Sequence, residues 1–209
     1  MWMLFVGLLG LVDGPAEYRC ITVYGRTECG YRCEATNGEV GCARTRDGVC
    51  VTGSGKLTCW DPPEWVRAHY RDKLPPPECL SRDGETACGY HCWSHDGVVK
   101  CADSPDGVCG NSPSKVMCWD PSPATYCAEP GLPLPRPRCA ITDRKIACGY
   151  NCEVRNGQVK CAQTPAGRCI VEDGEVRCFD EPPPALCEPG RPCAADADPR
   201  AWCQRRRKD

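Results

Sequence analysis

The sequence predicts a small, disulfide-rich, mostly β fold: three tandem modules of three short β-hairpins each, joined by Pro-rich linkers. Three observations carry this expectation. Cysteines recur three times over at steps of 9, 4, 9, 8 and 9. The middle of nearly every nine-residue step holds turn-forming residues. Apolar side chains beside those turns fall on the same face as the cysteines.

The cysteine pattern comes first. Module 1 contains Cys20, Cys29, Cys33, Cys42, Cys50 and Cys59; module 2 contains Cys79, Cys88, Cys92, Cys101, Cys109 and Cys118; module 3 contains Cys139, Cys148, Cys152, Cys161, Cys169 and Cys178. Each nine-step encloses a reversal such as Asn37-Gly38, Ser54-Gly55, Asp83-Gly84, Asp96-Gly97, Asn156-Gly157 or Asp173-Gly174. Asn-Gly and Asp-Gly favour a two-residue type I′ turn, because both central residues need positive φ. The turn then fixes the register. With Asn156-Gly157 as the turn, Val154 faces Val159, Glu153 faces Lys160 and Cys152 faces Cys161.

Strand side chains alternate between faces, so the register is checked by the apolar pattern. In module 3 the cysteine faces carry Ile141 with Ile146, Val154 with Val159 and Val171 with Val176. The opposite faces carry charged and polar residues. In the other modules Val40, Leu57, Val99 and Val116 share the cysteine face with Thr22, Thr27 and Ser81.

The segments follow. Residues 1–16 read as a signal peptide: residues 2–12 are apolar and too short to span a bilayer as a helix, with cleavage expected after Ala16. No basic residue precedes that stretch; the alternatives are a natural start upstream or a buried N-terminal segment. Module 1 occupies 17–61. The linker 62–78 can form a short helix from Glu64 to Lys73 before Pro75 to Pro77 stop it. Module 2 occupies 79–120. The linker 121–138 contains P-G-L-P-L-P-R-P-R, expected to be a polyproline II spacer. Module 3 occupies 139–180, and a cysteine-containing tail fills 181–209.

Six cysteines allow fifteen pairings within a module. Directly opposed, non-hydrogen-bonded positions favour bonds inside each C-x8-C hairpin. Bonds between hairpins stay open, because a lone hairpin is marginal in water and local bonds do not fix one hairpin on the next. Four cysteines fall outside the pattern, Cys127, Cys187, Cys193 and Cys203, and would make two further bonds in one of three ways.

Composition explains why the chain needs these bonds. It has 22 Cys, 21 Pro and 21 Gly among 209 residues. Modules of this size rarely hold together on an oily core alone. Each short cystine loop adds about 2.5–3 kcal/mol in the chain-entropy account. So many thiols in repeated spacing imply an oxidising, extracytoplasmic compartment. The net charge of −2 gives no basic field for nucleic acid.

Catalytic and metal chemistry find little footing. C-G-Y-H-C-W-S-H, residues 88–95, offers thiols and imidazoles, which zinc accepts. The positions equivalent to His91 hold Arg32 and Asn151, and those equivalent to His95 hold Thr36 and Arg155, so no metal or other cofactor is expected. C-G-Y-x-C is not the C-x-x-C redox motif. Only three histidines are present, which excludes a repeated His-based catalytic site, and the chain reads as no enzyme.

Two aromatic positions recur. Tyr31, Tyr90 and Tyr150 follow the glycine of C-G-Y-x-C; Trp60, Trp119 and Phe179 follow each module's last cysteine, ahead of Asp61, Asp120 and Asp180. These rings either pack over the disulfides or form a repeated contact surface for an extracellular protein or carbohydrate. The expectation is a secreted, non-catalytic, disulfide-stabilised repeat protein with an extracellular binding or surface-structural role and no membrane span. The alternative is a protease inhibitor or toxin-like effector. A metal-binding or redox thiol protein would require free thiols.

Overall fold

The computed structural model describes residues 16–128 and 134–180. Most of the expected signal peptide lies outside the described residues. So do the tail with Cys187, Cys193 and Cys203 and the side chain of Cys127.

Each repeat is a three-stranded antiparallel meander followed by a two-stranded hairpin. In the first repeat these are β1 (Arg19–Val23), β2 (Arg26–Thr36) and β3 (Glu39–Ala43), then β4 (Val49–Gly53) and β5 (Lys56–Trp60). A helix, α1 (Glu64–Tyr70), and a 3-10 turn (Arg71–Lys73) follow. The second repeat contains β6 (Glu78–Arg82), β7 (Glu85–His95), β8 (Val98–Ala102), β9 (Val108–Ser112) and β10 (Lys115–Trp119), followed by α2 (Pro123–Ala128). The third contains β11 (Arg138–Ile141), β12 (Ile146–Arg155), β13 (Gln158–Ala162), β14 (Arg168–Glu172) and β15 (Glu175–Phe179).

Nine disulfides lie among the described residues, and every one closes its own hairpin. The Cα atoms of each pair sit 3.9–4.0 Å apart, the close approach of directly opposed strand residues. Turn conformations follow composition. Asn156 and Gly157 have φ of 48° and 70°, and Asp173 and Gly174 have 51° and 78°. Asp143-Arg144 and Pro113-Ser114 turn without positive φ. At the former, the Thr142 amide donates to the Lys145 carbonyl at 2.8 Å.

The middle strand of each meander is bulged. Arg32 and Cys33 together oppose Cys42; His91 and Cys92 oppose Cys101; Asn151 and Cys152 oppose Cys161. The bulge residue has positive φ: 44° at Arg32, 50° at His91 and 43° at Asn151. The bend lets one long strand serve two hairpins, so the first two hairpins of a repeat form one sheet. It also explains the glycine of C-G-Y-x-C. A Cβ on Gly30, Gly89 or Gly149 would come within 2.4–2.5 Å of the carbonyl oxygen of Ala43, Ala102 or Ala162.

The hairpins stack. β4–β5 lies on β2–β3 of its own repeat and against β6–β7 of the next. β9–β10 lies likewise on β7–β8 and against β11–β12, and β14–β15 lies on β12–β13. The segments between repeats also pack. Val66 of α1 is buried, the Tyr70 hydroxyl donates to the Asp106 carboxylate, and α1 touches α2. Leu134, in the second Pro-rich segment, is buried too.

The sequence places both members of each apolar pair on an inner face. The structure divides them. Ile146, Val159 and Val176, on the return strands, are buried; Ile141, Val154 and Val171, their cross-strand partners, are exposed. A two-stranded ribbon twists strongly, so a neighbouring hairpin covers one edge of the face more than the other.

Candidate functional site

The recurrent polar residues form a brace inside each repeat. In the second repeat the Asp120 carboxylate accepts from the Asp103 amide (2.9 Å), the Ser104 amide (2.8 Å) and the Ser104 hydroxyl (2.8 Å). Asp61 does the same with Arg44 and Thr45, at 2.8–3.0 Å. Asp180 does so with Gln163 and Thr164, at 2.6–3.3 Å. Each aspartate thereby ties the end of the last hairpin to the loop that enters it. Gly48, Gly107 and Gly167 close that loop, and a Cβ there would meet the aspartate Oδ1 at 2.2–2.5 Å. Burial raises the Asp120 pKa above the ordinary carboxylate value; the donors pull it partly back.

The residue before each repeat's first cysteine forms a second brace. Arg19 Nη2 donates to the Cys33 carbonyl at 3.1 Å and Arg138 Nη2 to the Cys152 carbonyl at 3.3 Å. At the matching place Glu78 Oε1 accepts from the Cys92 amide at 2.8 Å. A bulge leaves both donors and acceptors unpaired by the ladder, so either charge can serve. Sequence reasoning missed both braces. The signal was present for the first, in Asp following the aromatic residue and in Thr or Ser before the loop glycine.

The aromatic positions are brought together across repeat boundaries. Trp60 meets Tyr90 edge-on at 5.8 Å between ring centroids, and Trp119 meets Tyr150 edge-on at 5.3 Å. Trp119 Nε1 also donates to Gln163 Oε1 at 2.7 Å. Tyr90 and Tyr150 are only 5% and 3% exposed, so they are removed from any external contact surface. Burial pushes the Tyr150 phenol up to about 12 and raises that of Tyr90 further. The Tyr90 hydroxyl donates to the Pro75 carbonyl at 3.1 Å, whereas the buried Tyr150 hydroxyl has no hydrogen-bond partner among the described residues. Tyr31 meets Tyr18 edge-on at 5.4 Å, and Phe179 is 57% exposed.

The histidines have structural neighbours. His91 Nε2 lies 2.9 Å from the Pro105 carbonyl, and Asn151 Nδ2 reaches the Pro165 and Gly167 carbonyls at 3.3 and 2.7 Å. His91 and Asn151 thus do the same work at equivalent bulges. His95 lies beside Asp96 at the surface. Among the described residues no three side chains of metal-ligating type gather. None of the described cysteines is free.

No family model matches the chain, and no solved structure does. Over 140 residues the chain is 28% identical to nephronectin of Mus musculus and 27% identical to nephronectin of Homo sapiens and of Pongo abelii. Those matches cover 64% of this chain and only 24% of each relative. What geometry and comparison support together is a cysteine-rich repeat protein, built of disulfide-closed β-hairpins and similar over part of its length to nephronectin.

Proposed function

We propose that the protein is a secreted, non-catalytic scaffold that holds repeated hairpin surfaces at fixed spacing for an extracellular protein or carbohydrate. The carrying observation is that the recurrent polar and aromatic residues are spent on bracing. Asp61, Asp120 and Asp180 each tie two hairpins together, and two aromatic pairs join successive repeats. A stiff array presents its faces together, so weak contacts add through effective concentration. The number of disulfides and the partial similarity to nephronectin support an extracellular location. No helix among the described residues is long and apolar enough to cross a membrane.

The protease-inhibitor reading draws less support. The described hairpin tips are tight reversals, not an extended loop that would fill a protease cleft.

Expression of the full chain in a secretory host tests the proposal. The expected result is protein in the medium whose native alkylation adds no mass until reductant is present. Oxidised protein should bind immobilised extracellular matrix or glycan, and reduced protein should not. Retention in the cytosol with labelled thiols, or equal binding after reduction, defeats the reading.

A further inference from the structure

We infer that the stack is closed at both ends against further repeats of its own kind. The junctions between repeats show what docking requires. At the first junction a Cβ on Gly53 would lie 2.4 Å from Thr86 Oγ1 and 2.5 Å from Ser81 Oγ. At the second, a Cβ on Gly110 would lie 3.1 Å from Cys139 Cβ and 3.2 Å from both Cys139 Sγ and Ile146 Cδ1. Each junction therefore places one glycine on the outer face of the last hairpin, three residues beyond its first cysteine at the first junction and one beyond at the second, where the other junction carries Ser112 and Val51. A tryptophan after the last cysteine completes it by meeting a tyrosine of the next repeat.

The third repeat has neither glycine. Ile170 stands where Gly110 stands, and Glu172 where Gly53 stands; both are exposed. Arg177 Nη1 pairs with Glu172 Oε2 at 2.9 Å across that same face. Phe179 replaces the tryptophan and carries no indole N–H for a bond like the one Trp119 makes to Gln163. A following first hairpin would meet an ion pair and would find bare backbone at neither position. A charged outer face on the last repeat is how repeat arrays end in water.

The head is closed differently. Thr22 Oγ1 and Thr27 Oγ1 lie 2.8 Å apart, as Ser81 Oγ and Thr86 Oγ1 lie 2.9 Å apart. The docking chemistry of the first junction is thus repeated on repeat 1, exposed. Tyr31, however, already meets the ring of Tyr18 edge-on, as Tyr90 meets Trp60. The position equivalent to Tyr18 in the later repeats is Pro77 or Pro137, which leaves the slot to the tryptophan. Tyr18 is the head cap; Ile170, Glu172 and Phe179 are the tail stop.

Sedimentation of the oxidised, secreted full-length protein tests this directly. Wild type should remain monomeric across a wide concentration range. A variant opened at both ends (Tyr18→Ala, Ile170→Gly, Glu172→Gly, Phe179→Trp) should associate head to tail. Its mass should then climb past a dimer as concentration rises, because a heterologous contact does not close on itself. Wild type that associates, or an opened variant that stays monomeric with wild-type circular dichroism, overturns the inference. Gly53→Glu decides the matter independently if the opened variant fails to fold. Its expected effect is faster amide exchange in β6 and β7 with all disulfides intact, and unchanged exchange there removes the glycine requirement.

Discussion

Replacing Asp120 by alanine removes the shared acceptor of three donors at residues 103 and 104, all at 2.8–2.9 Å. Hydrogen bonds to a charged group contribute about 1.5–3 kcal/mol each, and bonds sharing one carboxylate do not add fully. Asp103 is exposed, so water can take over its amide. Ser104 is fully buried, so its two donors carry most of the loss. The expected cost is about 2–4 kcal/mol for the second repeat. Asp180 makes the same contacts from an exposed position, so Asp180→Ala should cost about 0.5–1 kcal/mol. Denaturant unfolding of the oxidised protein gives the totals, and amide exchange at 103 and 104 gives the local effect. Equal costs for the two variants, or unchanged exchange at those amides, would refute the reasoning. The pH dependence adds a sign. Burial holds the Asp120 carboxyl above its ordinary pKa, so the native state takes up that proton more readily than the unfolded chain. The linked stability is fully present below the ordinary carboxylate pKa and is lost as pH rises through the raised one. Wild type should therefore lose ground to Asp120→Asn over that window.

Further outcomes follow from single residues. Tyr150→Phe removes a buried hydroxyl with no partner among the described residues and should be neutral or stabilising by about 1 kcal/mol, whereas Tyr90→Phe should cost about 0.5–1.5 kcal/mol by losing the bond to Pro75. Paired thermal melts of the two variants check this contrast. Arg32→Asn should raise stability by about 1 kcal/mol, because Asn tolerates the positive φ of the bulge better than Arg and occupies the matching place at Asn151. A lower melting temperature would sink that account. Gly107→Ala should cost about 1–3 kcal/mol, since the new methyl would lie 2.3 Å from Asp120 Oδ1 and 2.5 Å from Ala102 Cβ. A variant as stable as wild type would show that the brace yields without cost.

The sequence by itself determined the hairpins and favoured their cystines, while bonds between hairpins stayed open. Cys139 faces Cys148 and Val171 faces Val176 because a two-residue turn fixes register within a closed loop of ten residues, and period-two patterning confirms it locally. The helix after Pro62-Pro63 was legible for a different reason: prolines bound it on both sides. Tertiary structure alone decided how the hairpins combine. The bulges at Arg32, His91 and Asn151 merge two hairpins into one sheet, yet the three residues share no chemical type. Which of Val154 and Val159 is buried depends on where a neighbouring hairpin lies. The recurrent rings admitted two readings from the sequence, and only stacking turned Tyr90 and Tyr150 inward against Trp60 and Trp119. Register is a property of one loop, readable along the chain. Docking is set by shape between distant residues, as where Gly53 lies against Ser81 and Thr86 and Gly110 against Cys139 and Ile146.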